Sequence, residues 1–419
     1  MSHVGVVILG AVVFFALILV SVGLHEVGHF LPGKGFHVKI LQFFIGFGKN
    51  LWSTQRGETQ YGVKMIPLGG YVRLLGMYPP KREGKNTWLK RLADSAREAE
   101  WEDITEADIA SQRLFYQKPL WQRLIIMFSG VAMNLLLAFL LFAGVNLAYG
   151  ESVVTTQIAS VQQCVDPAAA TCEPTPAAAM GLQVGDDVQA FNGVDYGSWA
   201  DLTAAVRANG GDPVQLRVVR GGQTLELPTV PGHASTVTEA DGTTVQVGLL
   251  GVTAGQAMVR VGPLDTVHQM WDMTAQAVTA IVALPGSVVT TVQDMVGGRP
   301  RDLNSPISIV GASVIAGDVV AADAPVEARA AFYLRLLGSI NLFVGVMNLI
   351  PLPPFDGGQI AAGIYEAIRR GVNKLRRRPD PGPADTARLL PVTYIVVGLF
   401  AIMGAVLVIA DIINPVALG

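Results

Sequence analysis

Four stretches of this 419-residue chain are apolar enough to cross a lipid bilayer, whose hydrocarbon core needs about twenty apolar residues. They cover residues 4–24, 124–149, 336–352 and 389–410. We expect the first helix to end at Pro32-Gly33, whereas the third stretch breaks at three nearby prolines. A cleavable signal peptide is the alternative interpretation of the first stretch, which lacks a basic leader and a small-residue cleavage site. The pattern predicts a mainly α membrane protein with about four transmembrane helices.

Between these stretches the pattern changes. Residues 61–74 are rich in β-branched and aromatic side chains, which predicts extended chain that turns at Gly69-Gly70 and continues with Tyr71. Apolar and polar residues alternate over residues 214–218 as they do in a half-buried strand. Earlier in the chain, Asn192-Gly193 suits a tight turn between strands. Residues 262–296 have helical periodicity interrupted by Pro285, and they could lie on the exterior surface or against the bundle.

Composition agrees with a membrane protein, because 51% of the residues are hydrophobic and only 15% are charged. The formal net charge of −3 argues against a nucleic-acid partner. Lysine and arginine number 15 in residues 34–123 and 7 in residues 369–388, but only 7 in the much longer stretch 150–331. Basic loops favour the cytoplasm. We therefore expect both termini and the long central segment outside, with residues 34–123 and 369–388 inside.

The two cysteines, Cys164 and Cys172, both fall in the central segment that we expect outside. A disulfide between them is compatible with an oxidising compartment. Two unpaired thiols are the alternative. A C-x₂-C metal pair is excluded by their spacing.

The strongest chemical signal is His25-Glu26-Val27-Gly28-His29, at the end of the first apolar stretch. Ionisable side chains at membrane depth are costly and point to function. His25 and His29 are four residues apart, so they share one helix face and can bind one Zn²⁺. Glu26 would lie beside the metal as a general base. Because the pattern meets the membrane at its expected cytoplasmic end, we expect the active site towards the cytoplasm.

Two histidines leave a tetrahedral zinc site one protein ligand short. Asp356 is the candidate, because it follows the proline-broken third stretch and precedes Gly357-Gly358. Such irregular backbone at membrane depth is tolerated only inside protein or beside a watery cavity. The alternative is that Asp356 caps the following helix. With an incomplete histidine pair at similar depth, we favour the ligand role.

These motifs resemble those of the site-2 protease family of intramembrane zinc metalloproteases, in particular its RseP-like bacterial branch with one inserted PDZ domain. The family pattern joins His-Glu-x-x-His to Asn-x-x-Pro-x-Pro-x-Leu-Asp-Gly, and the second motif runs here from Asn348 to Gly357 with Phe355 replacing leucine. Gly130-x-x-x-Asn134 resembles a further family motif. The resemblance extends over nearly the whole chain.

The resemblance implies four regions. Residues 1–150 hold the first two transmembrane helices and a membrane-associated β-loop, and residues 151–235 form an extracytoplasmic α/β PDZ domain. Residues 236–332 form an extracytoplasmic linker with amphipathic helices, and residues 333–419 hold the last two transmembrane helices. The PDZ domain would bind a peptide C-terminus by strand addition or restrict bulky substrates sterically.

The implied function is zinc-dependent cleavage of single-span membrane proteins within or near their transmembrane segment, in a bacterial plasma membrane. Anti-sigma factors and remnant signal peptides are examples of such substrates. His25, His29 and Asp356 would hold the zinc, and Glu26 would act as base. Substrate contacts would come from Asn348, Asn134 and the β-loop residues Gly69, Gly70 and Tyr71. A silent PDZ scaffold and a metal transporter are the alternatives.

Overall fold

A computed structural model describes residues 3–80, 88–165, 172–238, 244–299, 301 and 305–414. The chain forms two compact units, one made of residues 1–145 and 262–419 and the other of residues 146–261. The termini that the sequence analysis places outside the membrane, at residues 1–2 and 415–419, lie outside the described residues. The described helices are α1 (His3–Gly35), α2 (Trp88–Trp101), α3 (Glu106–Ala110), α4 (Leu120–Ala148), α5 (Pro176–Ala179), α6 (Trp199–Ala208), α7 (Pro263–Gly297), α8 (Ile309–Ala321), α9 (Val326–Asn348), α10 (Asp356–Leu375) and α11 (Leu390–Ile413).

Five of the described helices are long and apolar enough to cross a membrane, one more than the sequence analysis counts. They are α1, α4, α7, α9 and, with the turn before it, α11. The additional helix is α7, which continues unbroken through Pro285. The chain is therefore a multi-pass membrane protein.

The first helix also extends beyond its expected end at Pro32-Gly33. Pro32 lies inside α1, which continues to Gly35. The carbonyl of Pro32 accepts a hydrogen bond from the Phe36 N–H at 2.8 Å. A proline so close to the C-terminus removes one helical hydrogen bond without preventing the last turn from closing.

The bundle is organised around contacts between α1, α4 and α9. The Tyr333 hydroxyl of α9 donates to the Gly10 carbonyl at 3.1 Å, and the Asn341 amide donates to the Ser21 hydroxyl at 3.1 Å. Because higher numbers on α1 meet higher numbers on α9, these two helices run in the same direction. A cluster centred on Phe142 of α4 packs against Leu342 of α9.

A two-stranded sheet of β1 (Ile40–Arg56) and β2 (Thr59–Leu74) follows α1. Its pairing is more complex than one hairpin, because Phe43 of β1 pairs with both Tyr61 and Val72 of β2. The expected turn is present at Gly69, whose φ of 93° suits glycine. The two sides of that turn therefore flank the same part of β1 instead of pairing with each other.

Residues 146–261 form a β-rich unit. Its strands are β3 (Glu151–Val161), β4 (Asp187–Phe191), β5 (Val194–Asp195), β6 (Leu216–Arg220), β7 (Gln223–Glu226), β8 (His233–Thr238), β9 (Thr244–Leu249) and β10 (Val252–Val259). The larger sheet has the order β10-β3-β4-β6-β7, with β5 beside β4. Its buried core contains Ile158, Leu202 and Leu216. Cys164 and Cys172 form a disulfide.

The β-rich unit ends later than the predicted boundary at residue 235. β10 pairs antiparallel with β3 along most of its length, from Val252 opposite Val161 to Val259 opposite Glu151. The chain between residues 236 and 261 therefore completes this unit's sheet. This strand is non-local in sequence, and for that reason composition alone did not associate it with the unit.

Candidate functional site

The His-Glu-x-x-His motif lies in a continuous part of α1. Its three functional side chains are all buried, with His25 9% exposed, Glu26 8% and His29 6%. Because His25 and His29 are one helical turn apart, their rings meet edge to face and their Nε2 atoms lie 3.2 Å apart. The helix alone thus brings two potential metal ligands together.

The orientation of His29 is fixed by α4. Its Nδ1 lies 2.8 Å from the backbone carbonyl of Ile126, an acceptor only, so Nδ1 carries the proton and donates it. The lone pair of a neutral imidazole is then on Nε2, which faces His25 and Asp356. A carbonyl partner of this kind is the usual outer support of a metal-binding histidine.

Asp356 completes a triangle of donor atoms. Its Oδ2 lies 3.4 Å from His25 Nε2 and 3.3 Å from His29 Nε2, beside the 3.2 Å between the two nitrogens. Ligand bonds of about 2.0–2.2 Å arranged tetrahedrally predict donor–donor separations of roughly 3.3–3.5 Å. This Oδ2 is buried and has no hydrogen-bond partner among the described residues. A two-nitrogen, one-oxygen donor set with these spacings fits a zinc ion.

The alternative role of Asp356 as a helix cap does not agree with its position. The residue before α10 is Phe355, which provides no side-chain cap, and Asp356 is already the first helical residue. Phe355, which replaces the family's leucine, packs its ring edge to face against Phe400 of α11, with centroids 5.4 Å apart. The substitution is therefore accommodated by an aromatic contact with α11, and Phe355 also lines the cavity beside the histidines.

Two glycines let α1 and α4 approach closely behind the histidines. A Cβ atom on Gly130 would lie 2.2 Å from His29 Nε2 and 2.9 Å from His25 Cε1. A Cβ atom on Gly28 would lie 2.5 Å from the Ser129 carbonyl. Hydrogen is thus the only side chain that leaves room for the imidazole pair. The sequence indicates Gly130 only as part of a motif, whereas its packing role depends on the contact between α1 and α4.

The sheet brings backbone to the other side of Glu26. A Cβ atom on Gly70 would lie 3.0 Å from Glu26 Cγ, and the Glu26 carboxylate is close enough to the backbone of Val72 for a hydrogen bond. Residues 70–74 pair with β1 along one edge only among the described pairings. The Tyr71 ring stacks on Phe44 and Phe47, which holds this edge segment flat.

A cavity of about 450 Å³ opens beside the three donor atoms. All five residues that the sequence predicts as substrate contacts line this cavity: Asn134, Asn348, Gly69, Gly70 and Tyr71. Three further polar residues that the sequence analysis did not name also line it: Ser21, Asn341 and Gln359. Gln359 follows Asp356 by one turn of α10, a spacing that could have identified it.

The two predicted asparagines differ in their surroundings. Asn134 is 2% exposed, and its Nδ2 atom is buried without a hydrogen-bond partner among the described residues. Asn348 is only half-buried, at the end of α9. A buried amide donor that faces a cavity without a partner is costly unless a ligand satisfies it. Asn134 is therefore the better placed of the two to meet a substrate oxygen.

The far part of α10 is anchored by a buried ion pair. Glu366 is 2% exposed, and its carboxylate accepts from Arg123 of α4 at 2.8 and 3.1 Å and from the Ala384 N–H at 2.9 Å. Burial by itself raises the pKa of Glu366, but Arg123 and the Ala384 N–H outweigh it and hold that pKa below its usual range. The helix that carries Asp356 is thereby fastened to α4.

The β-rich unit has a cavity of its own, of about 200 Å³. It lies between α6, which contributes Trp199, Leu202 and Val206, and the segment from Gly248 to Val252. Arg207 and Gln162 provide polar groups at its border. A groove between a helix and an extended segment is suitable for a peptide.

Comparisons with known proteins agree with this arrangement. The model of "Peptidase family M50" matches residues 13–378. The zinc metalloprotease Rip1 of Mycolicibacterium smegmatis is 32% identical over 430 residues, and that of Mycobacterium tuberculosis strain H37Rv is 33% identical over 431, each covering 98% of both chains. The metalloprotease MmpA of Caulobacter vibrioides is 30% identical over 378 residues, 87% of each chain. The family resemblance and the expected zinc dependence are confirmed: the chain belongs to peptidase family M50, the site-2 proteases, and is a zinc metalloendopeptidase of that type.

Proposed function

We propose that His25, His29 and Asp356 hold the catalytic zinc of this peptidase. The observation that carries the proposal is the triangle of 3.2–3.4 Å between His25 Nε2, His29 Nε2 and Asp356 Oδ2. Zinc bound by these atoms supplies a Lewis acid that polarises the scissile carbonyl and makes water more acidic. Three protein ligands leave a fourth position open, as a catalytic site requires.

Glu26 is the general base and acid in this proposal. Its buried carboxylate takes a proton from the attacking water as the oxygen–carbon bond forms. The same carboxyl then gives that proton to the peptide nitrogen as the carbon–nitrogen bond breaks. The position of Glu26 between the histidines and the Val72 backbone supports this role.

Asn134 is assigned to the oxygen of the scissile carbonyl, where negative charge develops. Its unpartnered Nδ2 supports this assignment, since a donor aimed at that oxygen stabilises the transition state more than the substrate. Asn348, which lines the same cavity, is assigned to the substrate backbone.

The substrate is bound as an added strand along residues 70–74. A transmembrane helix satisfies its own carbonyls, so its scissile region must unwind before a peptidase can reach it. The released backbone can pair with the free edge that Gly70, Tyr71 and Val72 present beside Glu26. This mode suits single-span membrane proteins, for which anti-sigma factors and remnant signal peptides are examples.

We place the zinc site towards the cytoplasm of a bacterial plasma membrane, with the β-rich unit and both termini outside. Two observations support this orientation. The basic residues are concentrated in residues 34–123 and 369–388. Phe142 of α4 lies near Gly338 of α9, and Tyr333 of α9 lies near Gly10 of α1. The end of α4, the start of α9 and the start of α1 are therefore at the same end of the bundle.

We assign a PDZ-type function to residues 146–261, a longer segment than the predicted 151–235. Its cavity between α6 and residues 248–252 is the site where a peptide C-terminus would bind. Steric exclusion of bulky substrates is the second candidate. A C-terminal peptide that binds the purified protein and loses binding on Thr203→Trp, a change at a half-buried residue that lines this cavity, would favour the first.

The peptidase proposal is tested with Glu26→Gln in purified full-length protein, incubated with a single-span reporter. We expect cleavage to fall at least about 10²-fold, because general acid–base catalysis contributes that much or more. Bound zinc, measured by elemental analysis, should stay at one ion per chain. Wild-type cleavage by this variant would remove Glu26 from the mechanism.

The same assay separates the alternatives. A silent PDZ scaffold would bind reporter tails without cutting them, with or without a chelator. A metal transporter would carry zinc across vesicle membranes. In that case neither the wild type nor Glu26→Gln would cut the reporter. Chelator-sensitive cleavage by the wild type alone agrees only with the peptidase.

A further inference from the structure

Helix α10 has the opposite polarity to a helix that faces water. Its outward face is apolar, with Ile364 46% exposed, Tyr365 59%, Ile368 62%, Val372 40% and Leu375 86% exposed. These five residues, which we call the apolar stripe, recur at helical spacing and share one face. A stripe of this size is unfavourable in water and marks a surface that another apolar phase covers.

The inward face of the same helix carries two polar residues, Glu366 and Gln359. Glu366 lies on it with its carboxylate paired to Arg123, and Gln359 lines the zinc-site cavity. Gly363 lies between them and packs against Leu120 of α4. A helix that exposes its apolar residues and keeps its acidic side chain inside is suited to outer surroundings of hydrocarbon.

A cluster of cations follows the apolar stripe. Lys374, Arg376, Arg377 and Arg378 are all exposed, and no ion pair of these four is found within the described part of the chain. The two preceding arginines differ, because Arg370 pairs with Asp380 and Arg369 donates to the Gly382 carbonyl. A favourable interaction with the helix dipole explains a cation in the last turn, but not three more beyond it.

We propose that the outer face of α10 is a docking surface for an anionic membrane leaflet. The apolar stripe lies against acyl chains, and the four free cations, which we call the basic run, contact anionic headgroups. Two features favour lipid as the occupant: α10 lies in the chain between the membrane helices α9 and α11, and the basic run complements negative lipid charge.

This surface bears directly on the zinc site. Asp356 is the first residue of α10, so the position of the helix in the leaflet sets the position of the third donor atom. Lipid composition would thereby influence how well the triangle closes. The docking itself does not depend on the peptidase proposal, because it can be measured without catalysis.

The test uses full-length protein in nanodiscs, labelled with a fluorophore at Ile368→Cys or at Leu375→Cys. Cys164 and Cys172 are joined in a disulfide, so the introduced thiol is the reactive one. Lipids that carry a nitroxide on the acyl chain should quench the label at 368 strongly. Gln223→Cys, on an exposed strand of the β-rich unit, is the water-facing control and should not be quenched.

Headgroup preference is measured at 375 with the nitroxide placed on either phosphatidylglycerol or phosphatidylcholine at equal fraction. We expect at least about threefold more quenching by the anionic lipid, a preference that falls at high salt. K374Q/R376Q/R377Q/R378Q should lose the preference, whereas R376K/R377K/R378K should keep it because charge is retained.

Three results would overturn the proposal. The first is a label at 368 that lipid nitroxides do not quench, and the second is equal quenching at 375 by both lipids. The third is concentration-dependent energy transfer between labels at 368, which would show that a second copy of the chain covers the stripe. Catalytic rates of the same samples report separately on the zinc-site proposal.

Discussion

The two halves of the candidate zinc site are built in different ways. His25, Glu26 and His29 come from consecutive turns of one regular helix, so local geometry alone places both imidazoles. Asp356 comes from a helix that begins only after an irregular, proline-rich segment, and it meets histidines that lie more than 320 residues earlier in the sequence. One half is preformed locally, and the other depends on tertiary packing.

This difference indicates which substitutions near the site should disturb its geometry. The histidine half needs space behind the rings, which Gly130 of α4 provides. The aspartate half needs its backbone held in place, and Gly357 and Gly358 do this by close contact with the carbonyls of Leu349, Ile350 and Leu352. Each half can therefore be disturbed without changing a metal ligand.

The largest effect is expected from Gly130→Ala. Its methyl group would lie 2.2 Å from His29 Nε2, so the ring must move and the donor triangle must open. Because a misplacement of about 1 Å can cost 10²-fold, we expect cleavage to fall by at least about that factor together with zinc content. Gly144→Ala on the same helix is the control, since no atom lies within 4 Å of its added methyl group. Equal activities of the two variants would show that α4 does not confine the histidines.

A smaller effect is expected from Gly357→Ala. The added methyl group would lie 2.4 Å from the carbonyl oxygens of Leu349 and Ile350, which displaces the start of α10. We expect zinc affinity to fall by about tenfold or more, within the range that altered supporting contacts produce. Gly371→Ala in the same helix meets nothing within 4 Å and should behave as wild type. If Gly357→Ala bound zinc normally, the irregular segment would not be what positions Asp356.

The smallest effect on catalysis is expected from Glu366→Gln. This change leaves the buried Arg123 without its carboxylate and should destabilise the protein by about 3 kcal/mol, measured by thermal unfolding in detergent. We expect the rate at low temperature to change by less than about threefold, because the pair lies more than two turns beyond Asp356. Arg388→Gln, which loses an exposed pair with Asp385, is the control with little expected change.

The stabilising effect of Glu366 should also depend on pH. Its pKa is lowered in the folded protein, so its contribution is fully present above the unfolded value of about 4.3 and is lost as pH falls through the lower folded value. The difference in unfolding temperature between wild type and Glu366→Gln should shrink below about pH 4. A difference that persisted unchanged at pH 3 would contradict the ion-pair assignment.

Much of the site could be predicted because its chemistry is encoded in short motifs. The spacing of His25 and His29 fixes their geometry on any helix, and Asp356 stands out as an aspartate in a proline-broken apolar stretch. The turn at Gly69 was also predictable, since its positive φ requires the residue type found there.

Other features depend on non-local packing and could not be read from the sequence. The role of β10 as the partner of β3 joins residues about 100 apart, so the sheet continues beyond the predicted boundary at 235. Two parts of β2, before and after Gly69, lie on opposite sides of β1. The sequence does not indicate this pairing, because the alternation of side chains is the same whichever part pairs with β1. Helix α7 was ambiguous because Pro285 interrupts its apolar pattern, although the helix continues through it.

The most direct test of the central claim is X-ray absorption at the zinc edge of the purified, zinc-loaded wild type and of Asp356→Asn and His29→Gln. The account predicts one zinc per wild-type chain, with two imidazole ligands and oxygen completing the shell at about 2.0–2.2 Å. Each variant should lose most of its zinc or the corresponding ligand. One zinc with an unchanged ligand shell in Asp356→Asn and in His29→Gln would contradict the claim that α1 and α10 meet around the metal.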